Sequence, residues 1–196
     1  MCATTAKKEP CSERIRVLVI FGSPRKNGST AALVNAFTSA LPKGVLIDRF
    51  DCYDTPPIPC NDCRYCHSNN DCAYDDLNGL YERLENSDIL VFASPVYNLS
   101  FPAPMKALID RMQRYWAARF KRGVCPPITR SKRAILITSC GSGTDSDMLE
   151  RQLKPVLTII NARLTHTIHY TGADKSEPLD SSFMQAAKAA VQLFEK

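Results

Sequence analysis

The apolar run Ile15, Val17, Leu18, Val19, Ile20 and Phe21 is rich in β-branched residues and has no polar alternation, which suits a central parallel strand covered on both faces. From Ser29 the apolar positions change to Leu33, Val34, Phe37 and Leu41. That 3.6-residue period predicts a helix, capped by Ser29 or Thr30 and stopped by Pro42 and Gly44. Val45 to Phe50 predicts a second strand, Asp75 to Glu85 a helix capped by Asp75 or Asp76, and Ile89 to Ala93 a third strand. One helix is predicted from Pro104 to Phe120, with Met105, Leu108, Ile109, Met112, Trp116 and Phe120 on its inner side. Ala134 to Thr138 reads as a fourth strand. A helix beginning near Asp147 then turns Leu149, Leu153, Val156, Leu157 and Ile160 inward, with Pro155 as a kink. Leu164 to Tyr170 is a fifth strand, and a last helix occupies Ser181 to Phe194. Strands alternating with helices imply right-handed crossovers and a three-layer α/β/α sandwich.

The 196 residues suffice for a single domain, 14–196, behind a loose tail at 1–13. No internal repeat is evident, and no apolar run approaches the length of a membrane span. The first dozen residues lack the apolar centre of a signal peptide, so a cytoplasmic protein is expected. Its nine cysteines then read as reduced thiols or metal ligands rather than a disulfide scaffold. The net charge of +5 is concentrated: Arg111, Arg114, Arg119, Lys121, Arg122, Arg130, Lys132 and Arg133 follow one another with no acid between Arg111 and Asp145. Such a run is either a solvated helix end and loop or a landing surface for the phosphates of NAD(P)H. No nucleic-acid partner is expected, since no aromatic-basic stacking motif or nucleic-acid module accompanies it.

The candidate chemistry sits at the strand ends. Gly22-Ser23-Pro24-Arg25-Lys26-Asn27-Gly28-Ser29-Thr30 joins the first strand to the first helix. There the free amides and positive dipole end of a helix favour an anion. Ser23, Ser29 and Thr30 add hydroxyls, Arg25 can cover a phosphate, and Gly28 permits close approach. An ordinary Ser- and Gly-rich turn would have the same composition. A Walker A loop requires Lys after its last Gly, but Ser29 follows Gly28, and G-x-G-x-x-G is absent. What remains suits the single phosphate of FMN at a switch point of the sheet. After the third strand, Ser94 to Pro102 offers stiff, aromatic backbone to a flat ring. After the fourth, Ser139-Cys140-Gly141-Ser142-Gly143-Thr144 lets a second segment approach the same ring.

GSPRKNGST, ASPVYNLSFPAPMKALIDR and the cysteine segment between them resemble the NAD(P)H-dependent FMN reductase and iron-sulfur flavoprotein group of the flavodoxin-like superfamily. The resemblance covers about residues 15–171. It implies a flavodoxin-like fold with a five-stranded parallel sheet in the order 2-1-3-4-5. By the same resemblance Ser23, Arg25, Asn27, Ser29 and Thr30 would hold the FMN phosphate, and Pro95, Val96, Tyr97 and Asn98 would line the ring, with Ser139 and Gly141 in a looser third loop. It also implies a homodimer or homotetramer, with Lys106, Asp110, Arg111, Tyr115 and Trp116 at a subunit boundary.

Cys60-x2-Cys63-x2-Cys66-x5-Cys72 is the densest set of soft ligands in the chain. The short spacers let three sulfurs face one pocket and the longer one brings back the fourth, as an iron-sulfur cluster requires. In the flavoproteins the segment resembles, it binds a four-iron four-sulfur cluster. Zinc and empty or redox-active thiols stay open as alternatives, because zinc also takes four cysteines. His67 lies in this segment as an alternate ligand or a solvated loop residue. His166 and His169 are separated by an odd step on one strand, which makes them a poor ligand pair. Cys140 reads as a small buried residue or a redox thiol near flavin.

With FMN bound, no side-chain nucleophile is required. The expected activity is hydride transfer from NAD(P)H to a flavin, a quinone or another small electron acceptor, with Phe101 and Trp116 expected near the ring. The alternative is a relay passing single electrons between redox protein partners. A tyrosine phosphatase would need a cysteine in the first loop, and a phosphate-receiving domain an Asp where Ser94 stands.

Overall fold

The computed structural model describes residues 14–141, 146–175 and 178–194. The expected tail at 1–13 and the loop residues Ser142, Gly143 and Thr144 lie outside them. Five strands form one parallel sheet: β1 (Arg16–Phe21), β2 (Leu46–Asp51), β3 (Ile89–Pro95), β4 (Lys132–Ser139) and β5 (Ala162–Tyr170). Their order is β2-β1-β3-β4-β5, as the resemblance implied. The helices are α1 (Ser29–Ser39), α2 (Asn78–Asn86), α3 (Ala103–Arg111), α4 (Gln113–Phe120), α5 (Ser146–Ile159) and α6 (Asp180–Gln192).

Alternate residues of the inner strands feed two separate cores. Val17, Val19, Phe21, Ile135 and Ile137 pack with Leu33 and Phe37 of α1 and Ala186 and Ala190 of α6. Leu18, Ile20, Leu90, Phe92 and Leu136 pack with Leu80 and Leu84 of α2, Met105 and Leu108 of α3 and Leu153 and Leu157 of α5. A strand sandwiched this way must be apolar on both sides, which explains the unbroken runs at β1, β3 and β4. β2 is an edge strand, and of its residues only Phe50 is buried.

Two expectations fail. The helix read from Pro104 to Phe120 breaks at Met112, which closes α3 and opens α4. The break resets the helical phase, so Tyr115, Ala117 and Ala118 are buried while Phe120 is 57% exposed. The caps also differ. The N-cap residue is Gly28 for α1 and Leu77 for α2, neither with a side-chain cap bond. Thr30 turns its hydroxyl to Ser139, and Asp76 accepts from Ile58 N and Arg111 Nη2. Among the described residues no helix is long and apolar enough to cross a membrane.

Candidate functional site

In-register pairing ends the inner strands at one level: Phe21 beside Ala93, Pro95 beside Ser139, Ser139 beside Tyr170. The loops leaving these strands therefore converge. Gly22 N donates to Ala93 O at 2.8 Å, and a Cβ on Gly22 would lie 2.3 Å from Met105 Sδ, so only glycine lets β1 leave the sheet against α3. Beyond it Arg25 N donates to Ser23 Oγ at 3.2 Å, and Gly28 N to Arg25 O at 3.3 Å. This tight turn places Ser23 under the start of α1. With no side chain capping that start, its first amides remain available to an anion.

Hydrogen bonds join the three loops. Thr30 Oγ1 and Ser139 Oγ are 2.6 Å apart and buried, and Val96 N donates to Ser139 O at 2.9 Å. Tyr97 and Ser100 exchange backbone bonds of 2.9 Å around Asn98 and Leu99, whose φ values are 50° and 60°. Both central residues are left-handed, as in a type I′ hairpin turn. Gln152 of α5 holds the tip, donating to Leu99 O at 3.1 Å and accepting from Ser100 Oγ at 3.1 Å.

Between these loops lies a cavity of about 490 Å³. Of the residues singled out from the sequence, Ser23, Arg25, Ser29, Thr30, Pro95, Val96, Tyr97, Asn98, Ser139 and Gly141 line it. Asn27 is exposed and outside that lining. Phe101 is buried in the core and Trp116 faces a different cavity, so neither approaches this pocket as expected. Ala173 and Asp174, from the turn after β5, join the wall without a sequence signal. Asp174 Oδ2 lies 1.6 Å from where a Cβ on Gly141 would sit, so the absent side chain at Gly141 makes room for the carboxylate.

The cysteine segment builds a second, larger cavity of about 870 Å³, lined by all four of Cys60, Cys63, Cys66 and Cys72. Asp62 and Arg64 take left-handed φ values of 53° and 60° there, and Tyr65–His67 form a 3-10 turn. Little apolar burial holds this loop; three guanidinium groups do. Arg111 donates to Ile58 O at 2.8 Å, Tyr74 O at 3.2 Å and Asp76 Oδ1 at 2.8 Å. Arg114 donates to Asn70 O at 3.0 Å, and Arg122 to Cys66 O. Trp116 tilts against His67 on the cavity wall.

All four cysteines are free, and burial, with the neighbouring Cys72, pushes the Cys66 thiol up. Among the described residues no three His, Cys, Asp or Glu groups converge on one ion position. The four thiols are distributed around this wide cavity, with Arg111, Arg114 and Lys121 in its walls.

The basic run is not the open patch its spacing suggested. Arg130 pairs with Asp88 at 2.6 Å, Lys132 donates to Glu85 O and Arg130 O, Arg133 reaches Leu193 O, and Arg111 is 2% exposed. Arg111 is therefore no surface residue of a subunit boundary. Lys106 forms an ion pair with Asp110 at 2.7 Å, and Tyr115 is buried with its hydroxyl on Glu85.

The sequence profile of the NADPH-dependent FMN reductase family matches residues 15–173. An iron-sulfur flavoprotein from Archaeoglobus fulgidus is 33% identical over 103 residues, 52% of this chain and 47% of the relative. FMN-dependent NADH:quinone oxidoreductase 3 from Pseudomonas aeruginosa is 30% identical over 174 residues, 80% of this chain and 82% of the relative. The chain spans about half the length of the iron-sulfur flavoproteins it matches. In fold it is similar to an FMN-dependent NADH-azoreductase from Bacillus anthracis solved with FMN, with TM-score 0.67 and 15% identity over 92% of this chain and 100% of the other.

Proposed function

The chain belongs to the NADPH-dependent FMN reductase family, and on that premise we propose that it binds FMN in the 490 Å³ pocket and uses NAD(P)H to reduce a flavin, a quinone or another small acceptor. The observation carrying this reading is the convergence of three hydrogen-bonded loops over the uncapped N-terminus of α1. The α1 amides, Ser23 Oγ and Ser29 would hold the phosphate, with Arg25 closing over it from solvent. Thr30 acts through its amide and by fixing Ser139. Tyr97, 43% exposed, would lie against the ring, and the backbone of Pro95 to Asn98 and Gly141 would meet its polar edge. When bound, FMN supplies the ring that takes hydride from the nicotinamide and passes electrons to the acceptor. The chain's residues hold, orient and shield that ring.

Titrating FMN into the purified chain should give saturable binding at one site per chain, and the loaded protein should oxidise NADPH or NADH in the presence of a soluble quinone. Folded protein that ignores FMN would overturn the reading.

A second reading adds the cysteine cavity. Cys60, Cys63, Cys66 and Cys72 would hold a four-iron four-sulfur cluster, which supplies one-electron exchange, and the protein would relay electrons between redox partners. Its support is the cavity itself, clamped by Arg111, Arg114 and Arg122. Anaerobic mixing with NADPH separates the two: a reductase loses its flavin absorbance without any partner protein, whereas a relay keeps it. Anaerobically purified protein should carry a broad iron-sulfur shoulder that Cys63→Ala removes while the flavin bands persist.

A further inference from the structure

One thiol outside the cysteine segment lies where the FMN-sized pocket meets the sheet. Side chains alternate along β4, so Ser139 faces Thr30 on α1 while Thr138 and Cys140 take the opposite side. His169 pairs in register with Thr138 across the β4–β5 boundary. Its Nδ1 is 2.6 Å from Thr138 Oγ1 and its Nε2 is 3.6 Å from Cys140 Sγ. Thr138 is fully buried, which fixes the imidazole, whereas Cys140 is part-exposed and lines the pocket. Nucleophile, base and orienting hydroxyl thus stand in sequence within reach of a small ligand. Cys52 is the contrast: fully buried, its thiol is pushed up to about 12 by burial.

We propose that Cys140, activated by His169, is a site of reversible S-thiolation by low-molecular-weight disulfides that enter the pocket. With its Nδ1–H donating to Thr138 Oγ1, His169 accepts the Cys140 proton at Nε2. The thiolate attacks one sulfur of R–S–S–R, and that bond breaks as the bond between Cys140 and S–R forms. The departing RS⁻ takes the proton back from His169 and leaves as RSH. Cys140 is oxidised to the mixed disulfide, half of the reagent is reduced to thiol, and a second thiol reverses the exchange. Because the adduct occupies space beside Ser139, Gly141 and Tyr97, thiolation and FMN exclude each other; this last clause rests on the FMN reading.

The test is to incubate the full chain at neutral pH with oxidised glutathione and follow each cysteine by peptide mass spectrometry. Cys140 should be modified about tenfold or more faster than exposed Cys125, and His169→Gln should remove that advantage while leaving Cys125 unchanged. Thr138→Ser, which keeps the orienting hydroxyl, should retain the native rate, and Thr138→Val should lower it. Equal rates for Cys140 and Cys125 in the native chain, or a folded His169→Gln protein that reacts like the native one, would overturn the assignment. Saturating FMN should slow Cys140 alone; if FMN binds and Cys140 still reacts at full rate, mutual exclusion is wrong. If FMN does not bind, the cofactor reading fails while the thiolation rates still decide this proposal.

Discussion

Thr30 and Ser139 are 109 positions apart in sequence, yet their buried hydroxyls share the hydrogen bond that ties the start of α1 to the end of β4. Thr30→Val leaves Ser139 Oγ without its partner, and an unpaired buried hydroxyl costs about 1–3 kcal/mol. The expected result is an unfolding free energy lowered by that amount in urea denaturation and weaker FMN binding, with Ser139→Ala adding little further loss in a double-mutant cycle; fully additive losses would show that the two groups act separately. Leu99 presents the opposite situation. It is 49% exposed, so it gains little from burial, yet it sits at a φ of 60° where a branched aliphatic residue is strained. Leu99→Asn should stabilise the chain by about 1 kcal/mol, measured in the same denaturation assay, because Asn tolerates that conformation. The hydroxyls of the turn were legible as polar residues at a helix start. Their partners were not, because nothing local in sequence links Thr30 to Ser139 or Leu99 to Gln152.

At the level of elements, the α3–α4 break and the cysteine segment belong together. Met112 turns the helix just after Arg111, and Arg111, Arg114 and Arg122 all then reach carbonyls of 58–74. A loop with this little apolar surface is held by those donors in place of a core. Arg111→Met therefore removes the ion pair of Asp76, which keeps only the amide of Ile58, and leaves two carbonyls without their donor, and the expected cost is about 3 kcal/mol. Limited proteolysis should cut the variant within 60–72 well before the native chain, and alkylation of Cys66 and Cys72 should accelerate; unchanged cleavage would mean the loop is held by something else. Periodicity predicted five helices that cover the six α-helices of the described residues to within a few residues, with α3 and α4 read as one, since the apolar spacing up to Met112 gives no sign that the phase will reset.

Across the whole molecule, the cations that looked like a surface patch are mostly paired inside it, and this has a consequence for pH. Burial, reinforced by Arg130, lowers Lys132 from its ordinary value to about 8. The unfolded chain then holds a proton on this residue between about pH 8 and 10.5 that the folded chain has released, so stability rises with pH across that window. Burial raises Tyr81 to about 12, and burial with Glu85 raises Tyr115, so the unfolded chain ionises them first and stability falls above about pH 10. Burial also raises Cys52 from 9.0 to about 12, so its ionisation in the unfolded chain offsets the Lys132 rise from about pH 9. Denaturation midpoints should therefore climb between pH 7.5 and about 9 by the equivalent of on the order of 1 kcal/mol, level off, and then decline. Lys132→Met should flatten the climb, and a variant that keeps the full native rise would show that another group titrates. The sequence by itself determined the layered fold and the location of the glycine- and serine-rich turn between β1 and α1, because strand burial, helical period and glycine placement are local patterns that a parallel sheet with right-handed crossovers can satisfy in few ways. Only the tertiary structure decided which charges are free, which loop meets which, and that Asp174 and the Cys140–His169 pair flank the pocket, because these depend on contacts between residues far apart in the chain, made by strand register and packing rather than by spacing along it.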